Sequence, residues 1–299
     1  DDVFSCHDVK SIFMIPQMLY EQGLVDVVFK KFAKVGYTNT SKNWDNWNTI
    51  VNSLQKIDDP IKIAMVGKYV TLTDSYVSVN EALKHASASI GRSVNIDWID
   101  SETFNGNINQ LDNFDGVLVP GGFGTRGSEG IIDTATYTLE KNIPYLGICF
   151  GFQLAAIAFG RKMCNLENAN STEIIADTKN PIIDLLPEQK DETEMGGSLR
   201  LGANEIKIHQ DSLAYKIYNS DKIFKRHRHR YEFNTKYRDE FLKNGMIFSG
   251  ESDDGKRMEI LEIPTHKFFL GVQFHPEFNS RPGFPEDVFK TFVTAASQN

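Results

Sequence analysis

The sequence predicts an α/β fold: an open, mostly parallel central sheet flanked by helices, with a small antiparallel addition. From Ile61 to Gly160, short apolar runs alternate with helical patterns, as in parallel sheets built from strand-helix-strand units. Two glycine-rich turns, Pro120-Gly121-Gly122-Phe123-Gly124 and Gly147-Ile148-Cys149-Phe150-Gly151, each follow such a run, at the sheet end where open α/β folds bind ligands. After Gly160 the apolar runs shorten and polar loops separate them, which reads as antiparallel strands folded back over the sheet edge.

Taken in order, residues Asp1 to Phe32 comprise a polar start, a strand expected at Ser11 to Ile15 and a helix from Pro16 to Phe32. A piece this small cannot bury its own apolar face, so it reads as the end of a preceding unit. Ala33 to Pro60 is rich in Asn, Asp, Ser and Thr, with Trp44, Trp47, Ile50, Val51 and Leu54 at helical spacing; it reads as a linker whose tryptophans dock on a neighbour. A new domain opens at Ile61 with an alternating strand to Val66, followed by a helix from Ser75 to Ile90 and a strand from Val94 to Ile99. Gly116 to Pro120 is the next strand, Ser128 to Lys141 a helix, and Ile143 to Ile148 an apolar run suited to burial on both faces. Beyond Gly160 lie candidate strands at Ser198 to Leu201, Ile206 to Ile208, Arg228 to Phe233, Met246 to Ser249, Met258 to Ile263 and Phe268 to Phe274. Glu188 to Glu194 has the composition of a charged surface loop.

The chain has 299 residues, enough for two ordinary domains or one large one. A formal charge of −8 argues against a nucleic-acid partner and gives no general attraction to anionic membranes. The three cysteines, Cys6, Cys149 and Cys164, show no C-x-x-C spacing, so neither a disulfide framework nor a zinc site is expected, and a reducing compartment such as the cytoplasm fits best. No apolar run reaches membrane-spanning length, and the start DDVFSCHD has neither a basic nor a long apolar signal region; without an initial Met it reads as a piece of something longer.

Cys149 sits between two glycines where a strand turns into a helix, the arrangement of a nucleophile elbow with sulfur in place of oxygen. A helix N-terminus favours thiolate over thiol, whereas the structural alternative is a small buried hydrophobe in a tight turn. A nucleophile needs a base and an orienting group, and His275 with Glu277 supplies both, because residues two apart in extended chain point the same way. The alternative for that pair is a His-Pro turn with a surface glutamate. The Gly121 to Gly127 loop contains G-x-G-x-x-G, a weak dinucleotide signal here because Pro120 precedes it; backbone N–H groups aimed at an oxyanion are the preferred use. Arg226-His227-Arg228-His229-Arg230-Tyr231-Glu232, as a strand, puts arginines on one side and His227, His229 and Tyr231 on the other. It reads either as an anion contact or as a solvated face, with no metal ligand evident by spacing to complete a His-x-His site.

Together, Pro120 to Gly124, Gly147 to Gln153 and His275-Pro276-Glu277 resemble the class I (triad) glutamine amidotransferases. Val66 to Tyr69, Asn170 to Glu173, Gly196 to Gly202 and Arg226 to Glu232 are similar to the glutaminase half of the CTP synthase family, and His7-Asp8-Val9 with Ile15-Pro16 to the tail of its synthetase half. The resemblance implies residues 1–32 as that tail, 33–60 as an interdomain linker and 61–299 as the amidotransferase domain. It implies Cys149 as nucleophile, His275 as general base and acid, and Glu277 as its orienting partner. Backbone N–H groups of Gly122 and Phe150 would form the oxyanion hole, and Gly122, Phe150, Gln153, Glu173 and Arg230 would bind L-glutamine. Arg126, Gly196, Gly197 and Arg200 are implied as lid or GTP contacts. No cofactor is implied in this domain; ATP and Mg2+ would serve the synthetase half, with GTP as activator, in a homotetramer that can form filaments. Phe150 departs from the family, which usually has Leu there; a backbone donor should tolerate the change, though the larger ring alters the pocket wall. The alternatives are another cysteine hydrolase of the same fold, similar to gamma-glutamyl hydrolases, and a domain serving mainly assembly or regulation.

Overall fold

A computed structural model describes residues 2–32, 41–55, 59–70, 73–104, 107–185 and 199–298. Its strands are β1 (Ile61–Gly67), β2 (Val94–Asp100), β3 (Gly116–Val119), β4 (Tyr145–Ile148), β5 (Asn170–Ser171) and β6 (Pro181–Asp184). They continue with β7 (Arg200–Ile208), β8 (Lys222–His229), β9 (Glu232–Phe233), β10 (Ile247–Ser252), β11 (Met258–Glu262) and β12 (Phe269–Val272). The helices are α1 (Ile15–Glu21), α2 (Leu24–Lys31), α3 (Ser41–Leu54), α4 (Val77–Ser89), α5 (Ser128–Lys141), α6 (Phe150–Lys162), α7 (Leu213–Tyr218), α8 (Arg238–Lys243) and α9 (Asp287–Ala296).

Nine strands form one sheet in the order β2-β1-β3-β4-β12-β11-β10-β7-β8. The first five run parallel, and β11, β10, β7 and β8 continue the sheet antiparallel. The antiparallel strands therefore extend the sheet edge rather than folding back over it. A separate small sheet has the order β5-β6-β9.

Why β3, β4 and β12 read as unbroken apolar runs is now clear: every residue in them is buried, because helices cover both faces. On one side Ile131 of α5 and Phe152, Leu154 and Phe159 of α6 fill the core; on the other, Val79 and Leu83 of α4 meet Phe289 and Phe292 of α9. The edge strand β8 instead alternates, burying Ile223, His227 and His229 and exposing Phe224, Arg226 and Arg228.

The N-terminal segment departs from expectation. Ser11 accepts a hydrogen bond from the Phe13 N–H, and Pro16 sits in the first turn of α1, so the strand expected at Ser11 to Ile15 is a 3-10 turn leading into a helix. The helix expected to Phe32 breaks at Gly23, whose φ of +80° no continuous helix adopts. As expected, the tryptophans of this stretch dock: Trp47 donates to the Phe13 carbonyl at 3.0 Å, and the Trp44 and Tyr20 rings lie 4.7 Å apart. The charged loop Glu188 to Glu194 lies outside the described residues. Among the described residues no helix is long and apolar enough to cross a membrane.

Candidate active site

The turn after β4 places Cys149 at φ +51°, ψ −95°, a conformation that L-residues hold only when their surroundings impose it. Its surroundings are tight. A side chain at Gly147 would fall 2.6 Å from the Gly151 backbone, and one at Gly151 would fall 2.4 Å from the Val119 carbonyl. The Cys149 N–H donates to Val272 of β12 at 2.7 Å, and its carbonyl accepts the first helical bond, from Gln153, at 3.1 Å. The chain thus leaves β4, turns once and enters α6 with the sulfur at the carboxyl end of the sheet. Phe150, as the first helical residue, has an N–H without an intrahelical acceptor.

His275 follows β12, the strand beside β4, and its backbone N–H is tied to the Arg226 carbonyl at 2.8 Å. Its Nδ1 lies 2.8 Å from Glu277 Oε1. A carboxylate only accepts, so Nδ1 carries the proton and Nε2 is left for the sulfur. Burial alone would depress the imidazolium, but hydrogen bonds to Cys149 and Glu277, with their charges, outweigh it and raise His275 to about 10.

The 121–124 loop closes over this pair. A Cβ on Gly121 would lie 2.9 Å from His275 Cε1 and 3.8 Å from Cys149 Cβ, so only glycine leaves room there. Gly122 packs against the Phe150 ring, bringing together the two backbone segments expected to form an oxyanion hole. Two groups hold the loop from behind. Glu173 accepts from the Gly124 N–H at 2.7 Å, and Lys68 donates to the Phe123 carbonyl at 2.8 Å and to that of Gly124. Lys68 is 5% exposed, lies 4.2 Å from the Phe150 ring centre and is lowered to about 8 by burial, which the neighbouring Glu173 partly offsets. Burial likewise raises Glu173, against the Gly124 hydrogen bond and the charges of Lys68 and Arg230.

Cys149, His275, Gly122, Gln153, Glu173 and Arg230 all line one cavity of about 970 Å³. Its lining brings together a cysteine, a histidine bonded to a carboxylate, one acidic side chain, Glu173, and two arginines, Arg228 and Arg230. That set suits attack on an uncharged amide at one end of a zwitterionic amino acid.

A family model for glutamine amidotransferase class-I matches residues 71–295. This chain belongs to the class I glutamine amidotransferase family. It is 46% identical over 299 residues to CTP synthase of Staphylococcus carnosus and 45% identical over 298 to that of Halalkalibacterium halodurans. It spans 55% and 56% of the length of those two relatives. It also matches the solved Trypanosoma brucei CTPS glutaminase domain with bound acivicin at 35% identity and a TM-score of 0.75, covering 80% of this chain and 94% of that one. Within the amidotransferases the chain therefore groups with the glutaminase domains of CTP synthase.

The remaining candidates of this amidotransferase lie as follows. Arg126 is exposed near the cavity rim, paired with Glu102 at 3.0 Å and 5.8 Å from the Tyr69 ring. Arg200 turns inward to pair with Glu259, which is fully buried. Gly196 and Gly197 lie outside the described residues. His227 and His229 gain from the fold the carboxylate that spacing did not reveal, Glu259, and the three bring ligand atoms within 4.8 Å. His227 Nδ1 and His229 Nε2 bond each other at 3.0 Å and Glu259 Oε1 bonds Arg200, while His227 Nε2 and Glu259 Oε2 are buried without a hydrogen-bond partner. Sequence reasoning missed two residues at the centre. Lys68 appeared only within the Val66 to Tyr69 resemblance, with no role assigned, and Gln273, 3.7 Å from Cys149 Sγ, was hidden inside an apolar strand pattern.

Proposed function

We propose that this chain hydrolyses L-glutamine to glutamate and ammonia with a Cys149-His275-Glu277 triad. The observation that carries the reading is the strained elbow holding Cys149 beside a histidine already bonded to a carboxylate, in the lining of one cavity. The Cys149 sulfur attacks the side-chain amide carbon, and the oxyanion is held by the N–H groups of Gly122 and Phe150. His275 Nε2–H then protonates the departing nitrogen, releasing ammonia and leaving a glutamyl thioester. Water, deprotonated by His275, attacks the thioester; glutamate leaves and the proton returns with the sulfur as leaving group. Gln153, Glu173 and Arg230 bind the substrate, the acid facing its ammonium and the guanidinium its carboxylate.

The ammonia is used by a synthetase portion to aminate ATP-activated UTP to CTP, in a cytoplasmic homotetramer that can form filaments, with Mg2+ for the nucleotide and GTP as activator acting near Arg126. Residues 1–32 belong to that portion, 33–60 link it, and 61–299 form the amidotransferase domain. Similarity extending over 99% of this chain supports that division. Glutamate release from glutamine, measured with and without GTP, tests the reading: the native chain should release it and Cys149→Ser should not. Equal release by both would remove Cys149 from the chemistry.

A further inference from the structure

The triad leaves Gln273 unused. It follows Val272 at the end of β12, is 1% exposed, and places its side-chain amide beside the sulfur. Which end of that amide faces Cys149 follows from its neighbours. The Tyr231 carbonyl only accepts, and it lies 2.7 Å from one end of the Gln153 amide, which must therefore be its NH2. That same nitrogen lies 3.2 Å from the Gln273 amide and requires an oxygen there. Gln273 consequently turns its own NH2 to the sulfur at 3.7 Å, a hydrogen-bond distance for an atom as large as sulfur.

The frame behind this chain of bonds is rigid. The Gln273 N–H donates to the Glu259 carbonyl at 2.8 Å, and the Cys149 N–H donates to the adjacent Val272, so nucleophile and amide hang on the same strand. His229 Nδ1 lies 3.3 Å from the Tyr231 carbonyl and must donate to it, which leaves His229 Nε2 to accept from His227 Nδ1. The Tyr231 carbonyl is thus pinned from two sides.

We propose that Gln273 is a further residue of the glutaminase centre, donating its side-chain N–H to the Cys149 thiolate, with Gln153 fixing the amide's orientation. It rests on the glutaminase reading above. Beside a sulfur that must carry negative charge to attack, a fixed neutral donor stabilises the anion without competing with His275 for its proton.

The test is the pH dependence of Cys149 alkylation by iodoacetamide in the full chain. In Gln273→Met, which fills the same volume without a donor, the half-maximal pH should rise by about one unit. Its kcat for glutamine should fall about tenfold, with KM little changed, because the interaction acts on the sulfur and not on the bound substrate. Gln273→Glu keeps the shape but sets a carboxylate against the sulfur, and should shift the profile further upward. A native profile in either folded variant overturns the proposal. Should both variants unfold, the unmutated chain decides: the side-chain NH2 resonance of Gln273 must move when Cys149 is alkylated, and an unmoved resonance overturns the proposal. Failure of the glutaminase reading is separately visible as absent glutamate release by the native chain, which alkylation does not depend on.

Discussion

Cys149 shows how much of the centre is held by single atoms. Its left-handed φ costs roughly 1–3 kcal/mol, offset by the strand, loop and helix that fix it. Gly151→Ala would drive a methyl into the Val119 carbonyl; the expected loss is about 3 kcal/mol, measured by denaturant unfolding. Glu277→Gln should lower kcat by about 10²-fold with little change in KM, because the imidazole loses the partner that sets its tautomer and charge. His275 also makes stability depend on pH. Its folded value, about 10, lies above the ordinary 6.5, so its contribution is complete below that ordinary value and is lost as pH rises through about 10. Melting curves of the native chain and His275→Gln should therefore converge over that window. The proximity of Cys149, His275 and Glu277 was legible because its logic is local: glycines bracket Cys149, and His275 and Glu277 are two residues apart, although Glu277 lies in a 3-10 turn and not in extended chain. Gln273 was not, because its partners Cys149 and Gln153 lie more than a hundred residues away in sequence, inside a pattern that reads only as buried strand.

Between elements, the decisive contact is Lys68 reaching from the end of β1 to the 121–124 loop that follows β3. Two carbonyls of that loop depend on one buried ammonium. Lys68→Met should lower kcat for glutamine about tenfold by loosening the 121–124 loop proposed to hold the oxyanion, while Cys149 keeps its reactivity toward a small alkylator. Loss of both together would instead place Lys68 in the nucleophile's own support. The strand-helix alternation before Gly160 was readable because each unit is complete within a few dozen residues. Of the later strands, Met246 to Ser249, Met258 to Ile263 and Phe268 to Phe274 correspond to β10, β11 and β12. Leu201 and Ile206 to Ile208 instead belong to one strand, β7, and the expected Arg228 to Phe233 strand breaks between β8 and β9, because apolar runs carry no information on pairing partners. The alternation of Arg226 and Arg228 with His227 and His229 followed from the period of two, but Arg230 and Tyr231 lie beyond the end of β8, and the carboxylate partner Glu259 sits on β11, with β7 and β10 between.

Across the whole molecule, the segment before β1 packs on the helix α4 that follows it rather than trailing free. The Phe13 ring meets His85 of α4 edge-on and Val51 is 2% exposed, while Trp47 ties the segment together by bonding the Phe13 carbonyl. Trp47→Ala should cost about 2 kcal/mol in denaturant unfolding and leave the rate of Cys149 alkylation unchanged, since the contact lies away from the cavity. The central proposal is that the cavity at Cys149 is a glutamine site. Intact-mass measurement after exposure to an electrophilic glutamine analogue tests it directly, comparing the native chain with Cys149→Ser. A single adduct on Cys149 that excess glutamine blocks, and that Cys149→Ser lacks, is the predicted result. An adduct that forms equally in Cys149→Ser, or that glutamine fails to block, would contradict it.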